Sequence, residues 1–488
     1  HTLRGTIKRI VPRPNEAINE TWIADRDRFS YEGIYSEERL QTPRMKVDGE
    51  WRDVSWQEAL EAAASTLRDA GNDTAFIVSP SATLEEGFLL SRLATHLGTA
   101  SIDHRLSRRD NRDQTSDPAY PYLGMSIEAL DSIDGALIVG SHLRQEAPIL
   151  AHRLRKAAVD KGAAIASVDT TRHEYFFPML AQVEDGLVAG VAAILKAAAD
   201  QAGRAVPAVA EGFVGSVDVT EAHRRAAGAL LEKDNALLLL GLRAVSHEAF
   251  SELRLLAVAL ADLTGATLGY LSEGANSAGL SLAGVLPHRA ANGEARETAG
   301  SDVADMVANP KTATVLWNVE LEDLAAVNAG TLQASDMIIS FSPFFDERTA
   351  GVADIVMPIG SFAETAGTFV NVEGRAQSWH GIATPIGEAR PGWKVLRVLG
   401  NALELPDCEY TDAAAVSAAA LTLIGIREGD NHYAGEYSPQ HVNGEDASDS
   451  MFEKSIYEVD SVVRRARALQ LTRAGQEGSA HRRPEMSE

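Results

Sequence analysis

From Ser55 onward the sequence alternates two textures: helical stretches such as "SWQEALEAAASTLRDAG" and short runs that are apolar throughout. An apolar run without alternation suits a strand covered on both faces, and its regular exchange with helices is the pattern of a parallel α/β sheet. The predicted strands are "TAFIVS", "GALIVGS", "AAIASVD", "NALLLLG", "TATVLW", "DMIISFS" and "DIVMPI". Between them, "APILAHRLRKAAVDKG" and "SHEAFSELRLLAVALADLTG" read as helices closing on Gly162 and Gly265 as C-caps.

Composition narrows the classes of function. The chain has 488 residues, 45% of them hydrophobic, enough for two to four domains of roughly 100–200 residues each. With 45 basic against 69 acidic residues the net charge is −24, which argues against nucleic acid or an anionic membrane as the main ligand. No apolar run approaches the roughly 20 residues of a membrane-spanning helix, so membrane association is expected through partner proteins. Cys408 is the only cysteine. One thiol forms no internal disulfide and cannot supply the thiolates of a zinc or iron–sulfur site, which fits a reducing compartment. The chain opens on His1 and passes at once into strand-like alternation, so it is read as a piece of a longer polypeptide.

Residues 1–52 are expected to be β-rich, with a hairpin turn at Asp48-Gly49. One α/β domain is expected from 53–105 and 271–365, and a Rossmann-like α/β domain from 106–270. A C-terminal region, 366–488, carries a helix capped by Thr411 or Asp412, a polar loop at 427–449 and a disordered tail from about 474.

The segment "GALIVGSHLRQEAPILAHRLRKAAVDKGAAIASVD" runs strand, glycine turn, helix, strand and ends on Asp169. That is the layout of a nucleotide-binding unit, yet Gly140-Ser141 is not a G-x-G-x-x-G turn, which favours an ordinary βαβ unit without ligand. No nucleophile elbow or paired-histidine metal motif is present, and His104, His142 and His152 read as surface or polar-core residues. The mixed-sign run Arg108 to Gln114 reads as a solvated face. "EGANSAGLSLAGVLPHR" is expected to be a loop whose backbone approaches a ligand or another part of the protein. In the glycine-bearing stretch Gly360 to Trp379, Gly367 and Gly374 are expected at positive φ, with Asn371, Glu373 and Arg375 satisfying backbone groups.

"ADIVMPIGSFAETAGTFVNVEGRAQ" resembles the signature of the molybdopterin oxidoreductase superfamily, and within it the chain is similar to the large iron–sulfur subunit of bacterial NADH:quinone oxidoreductase, respiratory complex I. "RIVPRPNEAINETWIADRDRFSYEG", "SIDHRLSRRD", "EGANSAGLSLAGVLPHR", "RPGWKVLRVLGNALEL" and "IYEVDSVVRRARALQLT" carry the same likeness in the family's order. The resemblance implies a molybdopterin oxidoreductase-like multidomain fold: Rossmann-like parallel sheets, a small N-terminal β region and a C-terminal region derived from a β-barrel domain. It also implies that residues 1–52 correspond to a 4Fe-4S domain, whose last cysteine ligand is replaced here by Ala24. In the region that matches the metal ligand of active relatives there is no thiol, only Ser107 and Asp110 as oxygen donors, and a Gly-Ser-Asn turn is replaced by Gly140-Ser141-His142.

The expectation is therefore a vestigial pocket around Gly140, Ser141, His142, Asp169, Gly274 and Asn276, with no catalytic residue, no metal and no molybdopterin in this region. The 2Fe-2S and 4Fe-4S clusters of the family would be bound by the part preceding His1. Expected partners are other hydrophilic-arm subunits, including the NADH/flavin-binding module, on the cytoplasmic side of the bacterial inner membrane. The alternative is an active molybdenum or tungsten pterin oxidoreductase of the formate dehydrogenase type.

Overall fold

Each of the seven predicted apolar runs forms a strand, because its side chains find cover on both faces of a sheet. The computed structural model describes residues 1–325, 329–426, 428–433, 435 and 456–480. At the N-terminus β1 (Thr2–Leu3) and β2 (Thr6–Ile7) make a small antiparallel hairpin.

The larger sheet holds β3 (Arg44–Val47), β4 (Glu50–Asp53), β5 (Thr74–Val78), β6 (Ile102–Asp103), β12 (Ala313–Trp317), β13 (Met337–Ser342) and β14 (Ile355–Pro358), ordered β4-β3-β14-β13-β12-β5-β6. β5, β12 and β14 are buried at every position, as their unbroken apolar runs require. The hairpin turn at Asp48 and Gly49 has both residues at positive φ, 53° and 83°, the geometry of a two-residue turn. Through β3, that hairpin adds antiparallel to β14, some 300 residues later in the chain.

The second sheet is wholly parallel: β7 (Gly135–Val139), β8 (Ala164–Asp169), β9 (Ala181–Glu184), β10 (Ala236–Leu240) and β11 (Thr267–Tyr270), in the order β11-β10-β7-β8-β9. Strand order reverses between β7 and β10, which makes their carboxyl ends the switch point of the sheet. The flanking helices Pro148–Lys161 and Phe250–Thr264 end on Gly162 and Gly265, both left-handed. Cβ-free residues accept that conformation without strain.

Past residue 365 the described chain contains the hairpin β15 (Gly367–Val370) and β16 (Ala376–Trp379), the helices Gly392–Ala402 and Ala413–Ile424, and short helical turns between Ile456 and Ala480. No closed barrel forms among the described residues, and the alanine-rich and amphipathic stretches of the C-terminal region favour helix. Asp412, one of the two expected caps, accepts a hydrogen bond from the Ala415 N–H at 2.9 Å. Most of the polar loop expected at 427–449 lies outside the described residues. Residues 473–480, where the sequence predicts the start of a disordered tail, form a helix, and 481–488 lie outside the described residues.

Candidate functional site

The two sheets meet where β6 and β11 end. β6 ends on Asp103, the loop after it enters as His104, Arg105 and Arg108, and the helix Phe250–Thr264 presents Phe250 and Arg254 from the opposite side. Between them lies a cavity of about 80 Å³, lined also by Asp117, Tyr270, Ser277 and Ser281.

The charge-rich run 108–114 is no solvated face. Arg108, Asp110 and Asp113 are buried. Asp110 accepts from the Ser251 N–H at 2.8 Å and pairs with Arg112 at 2.8 Å, while Asp113 pairs with Arg254 at 2.5 Å. Asp117 receives Arg108 at 2.6 Å, Arg105 at 3.3 Å and also Arg254. Burial works against the Asp117 carboxylate, but Arg108, Arg254 and Arg105 outweigh it and hold its pKa well below the usual range. Three guanidiniums and three aspartates, Asp103 included, thus close into one lattice between the sheets. Alternating charge looks alike in solvent and in a buried lattice, and the partners here lie about 140 positions away, so local pattern points to the wrong surroundings. His104 is buried with its Nδ1 2.8 Å from the Val285 carbonyl. His288 is buried beside the lattice, where burial and Arg105 push its pKa down to about 3, so its ring is neutral.

At the switch point of the smaller sheet, Gly140, Ser141 and His142 follow β7 directly. Gly140 takes φ 58°, and a Cβ there would stand 2.7 Å from the Ala244 nitrogen. Asp169, at the end of β8, is buried and committed to Arg243 at 3.1 Å and His173 at 3.0 Å. His142 stacks on His173 with ring centroids 4.5 Å apart and planes 7° from parallel. Burial, then the neighbouring His173, lowers its pKa to about 4.

Gly274 and Asn276 sit elsewhere, over the end of β5. A Cβ on Gly274 would stand 2.7 Å from Pro80 backbone. Asn276 is fully buried; its amide donates to the Ala82 carbonyl at 2.7 Å and its oxygen accepts from the Val370 N–H at 2.8 Å. Gly274 and Asn276 thus approach protein backbone, and Ser277–Leu282 of the expected loop form a helix instead.

In the stretch Gly360 to Trp379, Gly374 has the expected positive φ of 81°, and Asn371 accepts from the N–H groups of Glu373 and Arg375. Glu373 in turn accepts from the Ile127 N–H at 2.7 Å. Gly367 does not take positive φ. Its requirement is space: a Cβ would stand 2.5 Å from the Thr83 methyl and 2.8 Å from the Trp379 ring. Glu364 is fully buried with Arg39, 2.9 Å away, and accepts from the N–H groups of Ser361 and Ile386.

Ala24 precedes the short helix Asp25–Phe29, and residues 2–32 hold neither cysteine nor histidine. Sequence reasoning missed Arg105, Arg254, Asp113, Asp117, Glu146 and Arg243. The spacing of Arg105, Arg108 and Arg112 among Asp110, Asp113 and Asp117, directly after a buried strand, was the available signal for the lattice.

A model of the molybdopterin oxidoreductase family matches residues 39–402. The chain belongs to the molybdopterin oxidoreductase family. A second model, the NADH-ubiquinone oxidoreductase NDSU1/NuoG-like 4Fe-4S domain, matches residues 2–32. Relatives include the NADH-ubiquinone oxidoreductase 75 kDa subunit of Reclinomonas americana, 23% identical over 84% of this chain and 56% of the relative. An NADH-quinone oxidoreductase subunit of Streptomyces coelicolor is 26% identical over 84% of this chain and 52% of the relative. The chain thus spans about half the length of the curated relatives it matches. Among solved structures, acetylene hydratase from Pelobacter acetylenicus superposes with a TM-score of 0.53 at 13% identity, over 82% of this chain and 66% of the other, a likeness of fold alone.

Proposed function

We propose that this chain is the cofactor-free, molybdopterin oxidoreductase-type body of the large iron–sulfur subunit in the peripheral arm of NADH:quinone oxidoreductase. It supports the NADH-oxidising module and contacts neighbouring hydrophilic subunits, on the cytoplasmic side of the bacterial inner membrane. Electrons passing from NADH to quinone do not travel through it. The relatives named as subunits of NADH-ubiquinone and NADH-quinone oxidoreductase support the assignment to that complex, and no described helix is long and apolar enough to cross a membrane.

The observation that carries the cofactor-free reading is the Arg–Asp lattice. In the loop that matches the family's metal-ligand region, Asp110 is consumed by Arg112 and the Ser251 N–H, and the remaining cavity of about 80 Å³ compares with roughly 300–1,000 Å³ in sites that hold small molecules. Asp110, one of the two oxygen donors of that region, is thus committed within the protein, which supports the cofactor-free reading. At the 4Fe-4S position, residues 2–32 offer no thiolate, and a single cysteine in the chain leaves the iron–sulfur centres of the assembly to other polypeptide.

The test is elemental analysis of the natively purified chain for iron, molybdenum and tungsten, with pterin assayed by fluorescence after acid oxidation. Near-zero values are expected. Stoichiometric molybdenum or tungsten with pterin would overturn the reading and make formate-type oxidoreduction the next assay.

A further inference from the structure

The helices Trp56–Ala70 and Gly392–Ala402 pack against each other and leave a groove of about 330 Å³ between them. Trp56 and Leu60, one helical turn apart, wall one side; Pro391, Val395 and Val398 wall the other. The groove is formed in advance of any occupant. The Trp56 indole N–H donates to the Glu388 carbonyl at 3.0 Å, and Arg68 donates to the Ala402 carbonyl at 2.8 Å, so the two segments are tied together at either end.

The two charged side chains lining this groove are both cationic. Arg390 lies over the Trp56 ring, 4.5 Å from its centroid, and Lys394 follows on the first turn of the second helix. Both are exposed, and neither side chain has a hydrogen-bond or ion-pair partner among the described residues. Stacked guanidiniums elsewhere on the chain differ in this respect: Arg144 on Phe176 and Arg44 on Phe345 are each held by a carboxylate, at 3.2 Å and 3.1 Å.

We propose that this groove docks an acidic segment of another polypeptide, with an apolar side chain filling the cleft and flanking carboxylates meeting Arg390 and Lys394. The apolar walls suit a hydrocarbon anchor, and a preformed cleft lowers the cost of ordering on binding. A guanidinium lying flat on an indole keeps its N–H edge free for the two oxygens of a carboxylate. The net charge of −24 repels extended anions such as nucleic acid or an anionic bilayer, and equally a second copy of this chain. A short acidic segment avoids that field and meets the two cations. The inference concerns this surface alone: a partner from outside the respiratory complex would sustain it while counting against that assignment.

The experiment is site-specific photo-crosslinking of the full chain in its source cells. p-Benzoylphenylalanine replaces Val398, and after irradiation the crosslinked peptide is identified by mass spectrometry. One acidic segment of a different polypeptide is expected. Its yield should fall about tenfold when Arg390→Glu and Lys394→Glu are combined, and return when the carboxylates of the segment are changed to lysines. Both positions are exposed, so the double variant should melt within a few degrees of the wild type, which separates lost docking from lost folding. Should the double variant unfold, Lys394→Glu alone carries the test, with a fall of about threefold expected. Absence of a crosslink, a crosslink to lipid or to this chain itself, or a yield unchanged by charge reversal would overturn the proposal.

Discussion

Glu86 shows how a single side chain sets a pH dependence. It is buried in the first turn of the helix Leu84–Leu97, where its carboxylate accepts from the Thr83 N–H at 2.8 Å. Burial, only partly opposed by the Thr83 bonds, raises its pKa from 4.5 to about 7. Between those values the folded protein keeps a proton that the unfolded chain has released. The stabilising contribution of Glu86 is therefore complete below about pH 4.5 and is lost as pH rises through about 7. Urea unfolding from pH 5 to pH 8 should show this decline in the wild type, and Glu86→Gln should flatten it; an identical slope in both would assign the titration elsewhere. Gly374 belongs to the same scale. At φ 81° a β-branched residue is strained, and Gly374→Val should cost about 2 kcal/mol in the same unfolding measurement. Gly374 was legible as a turn glycine, since it stands between Glu373 and Arg375 in a polar reversal between strands. Gly367 was not, because the Trp379 ring and Thr83 methyl that exclude a Cβ there come from another strand and another helix.

Among elements, the helix Phe250–Thr264 is the bolt between the sheets. Its apolar length and its Gly265 cap were readable from periodicity and the terminal glycine. What it holds at its start was not: Arg254 is fully buried and reaches Asp113 and Asp117 in a loop that belongs to the other sheet's edge. Removing one member of a buried ion lattice strands its partners without countercharge. Arg254→Met should cost about 3–5 kcal/mol by urea unfolding, whereas an exposed pair such as Arg224 with Glu221 should cost under about 1 kcal/mol. Equal losses would show that the lattice carries no special weight. The strands themselves needed no tertiary knowledge, since an apolar run of five residues covered on both faces is already the core of a parallel sheet.

At the scale of the molecule, long-range ion pairs decide how the parts close on one another. Arg39 meets Glu364, and Arg464 meets Glu320 and Asp323 at 2.7 Å, each pair largely hidden from solvent. They hold the N-terminal and C-terminal segments against the larger sheet, in keeping with the supporting role proposed above. On that reading His142→Asn should leave the NADH-to-quinone rate of the parent complex unchanged; a clear change would show that the switch-point crevice takes part in turnover. The α/β class, the seven apolar strands, the helix caps and the absence of cluster thiolates were all written in the amino-acid order, because they follow from local periodicity, backbone preference and composition. That Arg108, Asp110 and Asp113 are buried among ion pairs, that Glu146 accepts from Ser141, His142 and Leu242 and that Gly367 is needed for space emerged from the folded arrangement alone. Each of those depends on groups brought together from distant parts of the chain, and burial then turns ordinary charges and glycines into structural necessities.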